Sequence, residues 1–260
     1  MRNRQANMLS IKIAVAAAIL LVIIGSAVYW MLSKPKFDKN TFCQNDKVKS
    51  ATVVIIDRTG EFSKSHIRAI KDVMNSEIEM LKEGDMISLY SIDSRTYNGL
   101  SETLFEKCKP KSGQSVNKLI ENERMIKNDF NKKFQEPIDH VLSNVINDKD
   151  SSSSPIIESL FDIVSSGQLK SGVNINRIVL LSDLLQHSKL ITVYKGKLKA
   201  IDDDQNLKRI VPDLRGVDVK VFWILRDNRE GELQSDYLLS WWEKLFEASH
   251  VSNISVQKVR

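Results

Sequence analysis

The sequence predicts an α/β domain: a doubly wound, mostly parallel six-stranded sheet with one antiparallel edge strand, preceded by an N-terminal transmembrane helix. Three observations carry this. Two aliphatic runs, Thr52-Val-Val-Ile-Ile-Asp57 and Arg177-Ile-Val-Leu-Leu-Ser182-Asp183, suit strands buried on both faces, and each ends in an acid. Strand-like runs alternate with segments of helical period, which calls for right-handed crossovers and a mostly parallel sheet. An uncharged apolar run, Ile13 to Leu32, stands ahead of them all.

That apolar run comes first in the chain. At about 1.5 Å per residue it is long enough for a hydrocarbon core of about 30 Å. Tyr29 and Trp30 close it, where amphipathic rings favour the interface. It is longer than the apolar core of a usual signal peptide. Tyr-Trp-Met-Leu-Ser-Lys-Pro also lacks a small-x-small cleavage site, so a retained single-pass anchor is expected. The organisation predicted is a tail over 1–12, a span over 13–32, a lysine-rich linker over 33–49 and a domain over 50–260. Arg2, Arg4 and Lys12 flank one side of the span and Lys34, Lys36 and Lys39 the other, so the positive-inside rule does not decide orientation. Cys43 and Cys108 are either two unrelated thiols or one disulfide, which belongs in an oxidising compartment. The second reading favours an inner (plasma) membrane protein whose domain is periplasmic or otherwise extracytoplasmic.

The domain then reads in order. The first strand, about Ala51 to Ile56, leads to a helix over Ser63 to Leu81, whose stripe is Ile67, Ile70, Val73, Met74, Ile78 and Leu81. Gly84 suits its C-terminal cap. Met86 to Ile92 is a second strand. Leu100 to Cys108 is a third, antiparallel because Asn98-Gly99 signals a hairpin. One long helix is expected from Val116 to Ile146, kinked or divided by Pro137. A serine loop over 148–154 follows, and Pro155 opens a helix from Ile156 to Ser165. Beyond the strand that ends at Asp183, Leu190 to Tyr194 reads as extended and Leu207 to Leu214 as a short helix. Asp218 to Leu225 is a strand, Leu233 to Ala248 a helix with Trp241 and Trp242 covering the sheet and rim, and Val251 to Val259 a last strand.

Three loops combine oxygen-bearing side chains: Asp57, Thr59 and Glu61 after the first strand, Ser152 and Ser154 before Pro155, and Ser182 and Asp183. If the two acid-tipped strands are neighbours, these loops meet in a crevice of the kind where open α/β sheets bind ligands. One or two carboxylates with hydroxyls and waters suit a hard divalent cation. As single residues, Asp57 and Asp183 also fit helix caps, and Thr59 and Ser154 fit plain turns.

The order Asp-x-Thr-x-x, then Ser-Pro-hydrophobic, then a strand ending in Ser-Asp resembles the von Willebrand factor A (vWA) domain. Ser-Pro-Ile and Ser-Asp-Leu-Leu-Gln resemble divergent, membrane-anchored bacterial members of that family. The resemblance spans roughly Ser50 to Arg260. It implies a metal-ion-dependent adhesion site, with Asp57, Thr59, Glu61, Ser154 and Asp183 as metal residues and Mg2+ or Mn2+ as the ion. It also implies a protein partner at the rim and membership of a membrane-associated complex. Two departures stand out: Glu61 replaces the second serine of the first motif, and Leu184 replaces the glycine that commonly follows the third-loop aspartate.

Composition excludes little. The chain of 260 residues is 27% charged and 42% hydrophobic with net charge +5, ordinary values for a globular protein. No Lys/Arg block is interleaved with aromatics, so nucleic-acid binding is not expected. No glycine-rich phosphate loop follows the first strand, and Thr59 stands where a haloacid dehalogenase-type phosphatase needs its second carboxylate. His66, His140, His187 and His250 have no metal-ligand spacing, and the cysteines form no Cys-x-x-Cys pair. The expectation is a binding module and not an enzyme. The alternative is a divergent metal-dependent hydrolase on a similar sheet, with Asp57 holding the metal.

Overall fold

The computed structural model describes residues 2–33, 37–44, 48, 50–92, 103–113, 121–147, 153–165, 173–196 and 198–260. The chain falls into two compact units, Met1–Phe37 and Asp38–Arg260. The first holds one helix, α1 (Arg2–Leu32). Among the described residues, its Lys12–Leu32 stretch is the one helix long and apolar enough to cross a membrane. Length and composition of this kind fit a membrane anchor and a signal sequence alike.

The second unit begins inside the stretch read as a linker. Asp38 Oδ1 accepts from the Asn40 and Thr41 amides at 2.8 and 2.7 Å, closing a tight turn. Thr41 O accepts from the Cys108 amide at 2.8 Å. Cys43 and Cys108 are bridged, with Cα atoms 4.8 Å apart, inside the range a disulfide requires.

Six strands form one sheet: β1 (Ala51–Asp57), β2 (Met86–Ile92), β3 (Phe105–Cys108), β4 (Ile175–Ser182), β5 (Asp218–Ile224) and β6 (Asn253–Val259). Their order is β3-β2-β1-β4-β5-β6, with β3 antiparallel to β2 and every other pair parallel. This is the fold class the sequence predicts. Every residue of β1 and β2 is buried, which is why their sequences show no polar alternation.

The helices are α2 (Lys64–Met80), α3 (Glu123–Phe130), α4 (Glu136–Asn147), α5 (Ile156–Ser165), α6 (Gln205–Ile210) and α7 (Asp236–Ala248). Successive residues of a strand point to opposite faces. Val54 and Ile56 accordingly pack with Ile70 and Met74 of α2 and Ile138 and Leu142 of α4. Val53 and Ile55 pack with Ile157 and Leu160 of α5 and Trp242 and Leu245 of α7.

Several elements differ from expectation. The long helix is interrupted by a π-helical stretch, Asn131–Gln135, between α3 and α4. Pro137 has no N–H to give and its ring crowds the carbonyl four residues back, so regular turns give way just ahead of it. The widened turn seats Phe134, fully buried, 5.7 Å from the Phe105 ring. The third strand covers only Phe105–Cys108, and Val193–Lys195 is a short 3-10 turn where an extended segment was expected. The Asn98-Gly99 turn, the start of the long helix at 116–120 and Ser152 lie outside the described residues.

At the end of the sheet where the parallel strands begin, two charged clusters are buried. Lys109 donates from Nζ to the carbonyls of Ile78, Glu79 and Leu81 at 2.7, 3.3 and 2.9 Å, so it caps the C-terminus of α2. Glu77, also buried, meets Arg177 at 3.3 Å and Lys220 at 3.2 Å.

Candidate functional site

Strands β1 and β4 are adjacent and parallel, and the chain winds outward from them in both directions. Their C-terminal ends are therefore the switch point of the sheet, where open α/β folds bind ligands. The crevice there has a volume of about 410 Å³ and is lined by Thr59, Ser154, Asp183, His187, Tyr194 and Glu230, among others. The predicted Thr59, Ser154 and Asp183 thus meet in one place, and Asp57 lies buried against them.

Asp57 is the hub. Its Oδ1 accepts from the Thr59 amide at 3.0 Å and the Thr59 hydroxyl at 2.7 Å. Its Oδ2 accepts from the Ser154 hydroxyl at 2.9 Å and the Ser182 hydroxyl at 2.8 Å. A carboxylate offers about four lone-pair sites, so these donors fill it. Ser182 also accepts from the Leu184 amide at 2.9 Å, which ties the third loop to the same hub.

The second loop is held by the chain that follows β4. Ser154 and His187 exchange two backbone hydrogen bonds of 2.8 Å. Gln186, wholly buried, accepts at Oε1 from the Ile157 amide at 3.0 Å and donates to Glu158 at 2.9 Å. It therefore satisfies one orphan N–H in the first turn of α5. Leu184 sits in the left-handed region at φ 63°, the position where the resemblance expects glycine. A left-handed residue with a Cβ costs roughly 1–2 kcal/mol. Burial of its side chain and the bond from Trp242 Nε1 to its carbonyl, 2.9 Å, hold it there.

The residue that sequence reasoning missed is Arg226, just past β5. Its side chain is 4% exposed and its Nε donates to Asp183 Oδ2 at 2.9 Å. One terminal nitrogen donates to Glu61 O at 2.6 Å and the other to Thr59 O. Gly60 lies against the guanidinium at φ 93°, and a Cβ there would come within 2.9 Å of Arg226 Cζ. Glu61 is exposed, and the contact it gives Arg226 is its backbone carbonyl. A signal for Arg226 was present. The run Val219 to Leu225 is a third aliphatic strand that ends in a charged residue on the same rim.

Burial, then the neighbouring Asp57 carboxylate, pushes the Asp183 carboxyl up to about 7, against the pull of the Arg226 guanidinium and the Leu185 amide. His66 is shifted the other way. Burial first, then the Arg226 charge, lowers it below its usual 6.5. Burial and the Glu230 carboxylate raise the Tyr194 phenol, whose hydroxyl is 3.4 Å from Glu230.

These residues do not fit a divalent cation. Asp57 is saturated, and the carbonyls of Thr59 and Glu61 are turned to Arg226. With Asp57 and Asp183 both ionised, the buried floor sets two carboxylates against one guanidinium. A 2+ ion on Asp183 would have to take the oxygen that Arg226 Nε holds at 2.9 Å and would face that guanidinium's charge at close range. Among the described residues, no group of three or more His, Cys, Asp or Glu side chains is placed to hold a metal.

No family model matches the chain, and no curated protein matches it. Similar solved structures include a von Willebrand factor type A protein from Catenulispora acidiphila, with 15% identity and a TM-score of 0.38, over 82% of this chain and 39% of that one. The ArnB paralog VWA2 from Sulfolobus acidocaldarius gives 14% and 0.38, over 72% and 38%. The conserved hypothetical protein BatB from Bacteroides thetaiotaomicron gives 12% and 0.37, over 81% and 91%. The chain thus spans less than half the length of the first two. At such values the likeness adds no weight of its own. The strand order, the single antiparallel edge and the three convergent loops make the domain vWA-like in fold.

Proposed function

We propose that this chain is a membrane-tethered binding module whose rim crevice docks a protein partner, as a component of a membrane-associated complex. The observation that supports the reading is the state of Asp57. Its oxygens are filled by Thr59, Ser154 and Ser182, so the crevice has a preformed polar floor, and among the described residues neither serine is paired with a base that would activate it as a nucleophile. The hydrolase alternative needs Asp57 to hold a metal, and oxygens already taken by four donors disfavour that role. Tyr194, 45% exposed and lining the crevice, adds the aromatic area that interface centres favour. The Cys43–Cys108 bridge supports an extracytoplasmic domain, since oxidising compartments preserve disulfides.

A photo-cross-linking side chain placed at Tyr194 in the full-length protein in membranes is the direct test. A discrete protein adduct at that position, absent with the cross-linker at Met125 and lost on Asp57→Ala, is the expected result. Turnover of a generic phosphoester that disappears with Asp57→Ala would instead select the hydrolase. Topology reporters at the C-terminus and alkaline extraction of membranes check orientation and anchoring separately.

A further inference from the structure

We infer that Arg226 is the resident cation of this crevice, holding the first and third loops together as a divalent ion would, so that the site is complete without metal. Any cation in that place has three tasks. It must neutralise the acid at the end of β4, gather oxygens from the loop after β1, and fix the two loops relative to each other.

Arg226 does all three. Its Nε binds the carboxylate of Asp183, and its two terminal nitrogens take the carbonyls of Glu61 and Thr59. Guanidinium is a planar fork that stays charged in proteins, so it supplies a permanent positive charge at fixed geometry. The Phe62 ring lies 5.9 Å from Cζ and adds an aromatic face. The fit is mutual. Gly60 leaves no room for a Cβ above the guanidinium, so the first loop is shaped to this side chain.

The stem of Arg226 is fixed as well. Its amide donates to Gln234 Oε1 at 2.6 Å, and Gln234 Nε2 donates to the carbonyls of Asp183 and Ile224 at 2.9 and 2.8 Å. Gln234 therefore ties the arginine back to the end of β4 and the end of β5. A side chain anchored at both ends in this way is part of the frame.

The inference goes beyond partner docking, because it concerns the charge of the site itself and is read without any partner. Its test uses the full-length protein in nanodiscs, with Mn2+ binding followed by electron paramagnetic resonance and stability by thermal unfolding. Wild type should show no saturable Mn2+ binding up to about 5 mM, a concentration at which dedicated protein sites are filled. Its unfolding temperature should be indifferent to Mn2+, Mg2+ and EDTA. Arg226→Gln should lower that temperature and bring saturable Mn2+ binding at least roughly tenfold tighter than any in wild type. Adding Asp183→Asn, which removes the carboxylate that Arg226 otherwise holds, should abolish the gain. If Arg226→Gln does not fold in metal-free buffer, refolding in Mn2+ but not in NaCl of equal ionic strength gives the same result. Saturable Mn2+ binding by wild type, lost on Asp57→Asn, overturns the inference. An Arg226→Gln protein that folds and gains no Mn2+, or that Mn2+ fails to refold, overturns it equally. None of these outcomes depends on whether the Tyr194 cross-link is found.

Discussion

The two ends of the sheet each bury a cation that collects backbone carbonyls, and they use it differently. Where the parallel strands begin, Lys109 takes the carbonyls of Ile78, Glu79 and Leu81, and among the described residues no carboxylate hydrogen-bonds its ammonium. Where they end, Arg226 takes two carbonyls and the carboxylate of Asp183. Lysine, with three rotatable donors, finishes one helix terminus. Arginine joins loops that are far apart in sequence, at separations of 43 positions from Asp183 and 165 from Glu61. The first cation completes an element and the second assembles a site. Loss of the first should therefore weaken a helix end, whereas loss of the second should disorganise the crevice.

The largest effect expected from breaking this contrast is at the crevice. Asp183→Ala leaves Arg226 buried without its carboxylate, and stranding one partner of a buried pair costs about 3–5 kcal/mol. Denaturant unfolding should report that loss and partner cross-linking at Tyr194 should vanish with it. At the opposite end, replacing both Cys43 and Cys108 with alanine opens a link across 65 residues, and should cost about 2–4 kcal/mol while leaving the crevice intact. Lys109→Met is next. It frees three carbonyls at the α2 terminus and should cost about 1–3 kcal/mol, with cross-linking unchanged. If Lys109→Met abolished cross-linking as fully as Asp183→Ala, the two cations would not differ in role.

The smallest effect is a pH dependence. His66 Nδ1 accepts from the Ser63 amide at 3.3 Å while the His66 amide donates to the Ser63 hydroxyl at 3.1 Å, a reciprocal cap on α2. Protonation removes that acceptor. Burial and Arg226 already hold the imidazole below 6.5, with Asp227 and the Leu225 backbone opposing them. A depressed folded value means the unfolded chain binds the proton first. The contribution of His66 is then fully present above 6.5 and is lost as pH falls through its lower folded value. Asp183, raised to about 7 from 3.8, runs the other way: its contribution is present below 3.8 and lost as pH rises through about 7. His66→Gln should therefore remove the acid-side loss and leave stability falling as pH rises toward about 7. A wild-type profile that matched the variant would show that His66 does not titrate in this window.

Much of this was legible because the central strands are apolar along their whole length. Thr52 to Ile56 and Arg177 to Leu181 admit no amphipathic helix, and the acid at each tip marks the rim. Asp57, Thr59, Ser154 and Asp183 came together because parallel crossovers send β1 and β4 the same way. The Cys43–Cys108 pairing was one of two readings, and geometry selected it. Arg226 was legible only as the charged tip of a third apolar strand, not as the partner of Asp183. It is one of 38 Lys and Arg residues, and its partners become neighbours only once β5 is laid beside β4. Leu184 was noticed as a departure, but a leucine gives no sign that its backbone is left-handed. The interruption at Asn131–Gln135 was partly foreseen through Pro137, whereas its π-helical form depends on where Phe134 must sit.

The bridge at Cys43 also sets where tension enters the domain. A pull on the chain ahead of Cys43 passes through the sulfurs to Cys108, at the end of the four-residue edge strand β3, and bypasses residues 44–50 that lead into β1. Beside it, Thr41 O and the Cys108 amide share the load. β3 is paired with β2 alone, so an excessive pull peels an edge before it reaches the middle of the sheet. The strands that carry Asp57 and Asp183 lie inboard of β2, mechanically shielded. The crevice on such a sheet keeps its shape while the chain ahead of Cys43 is under strain.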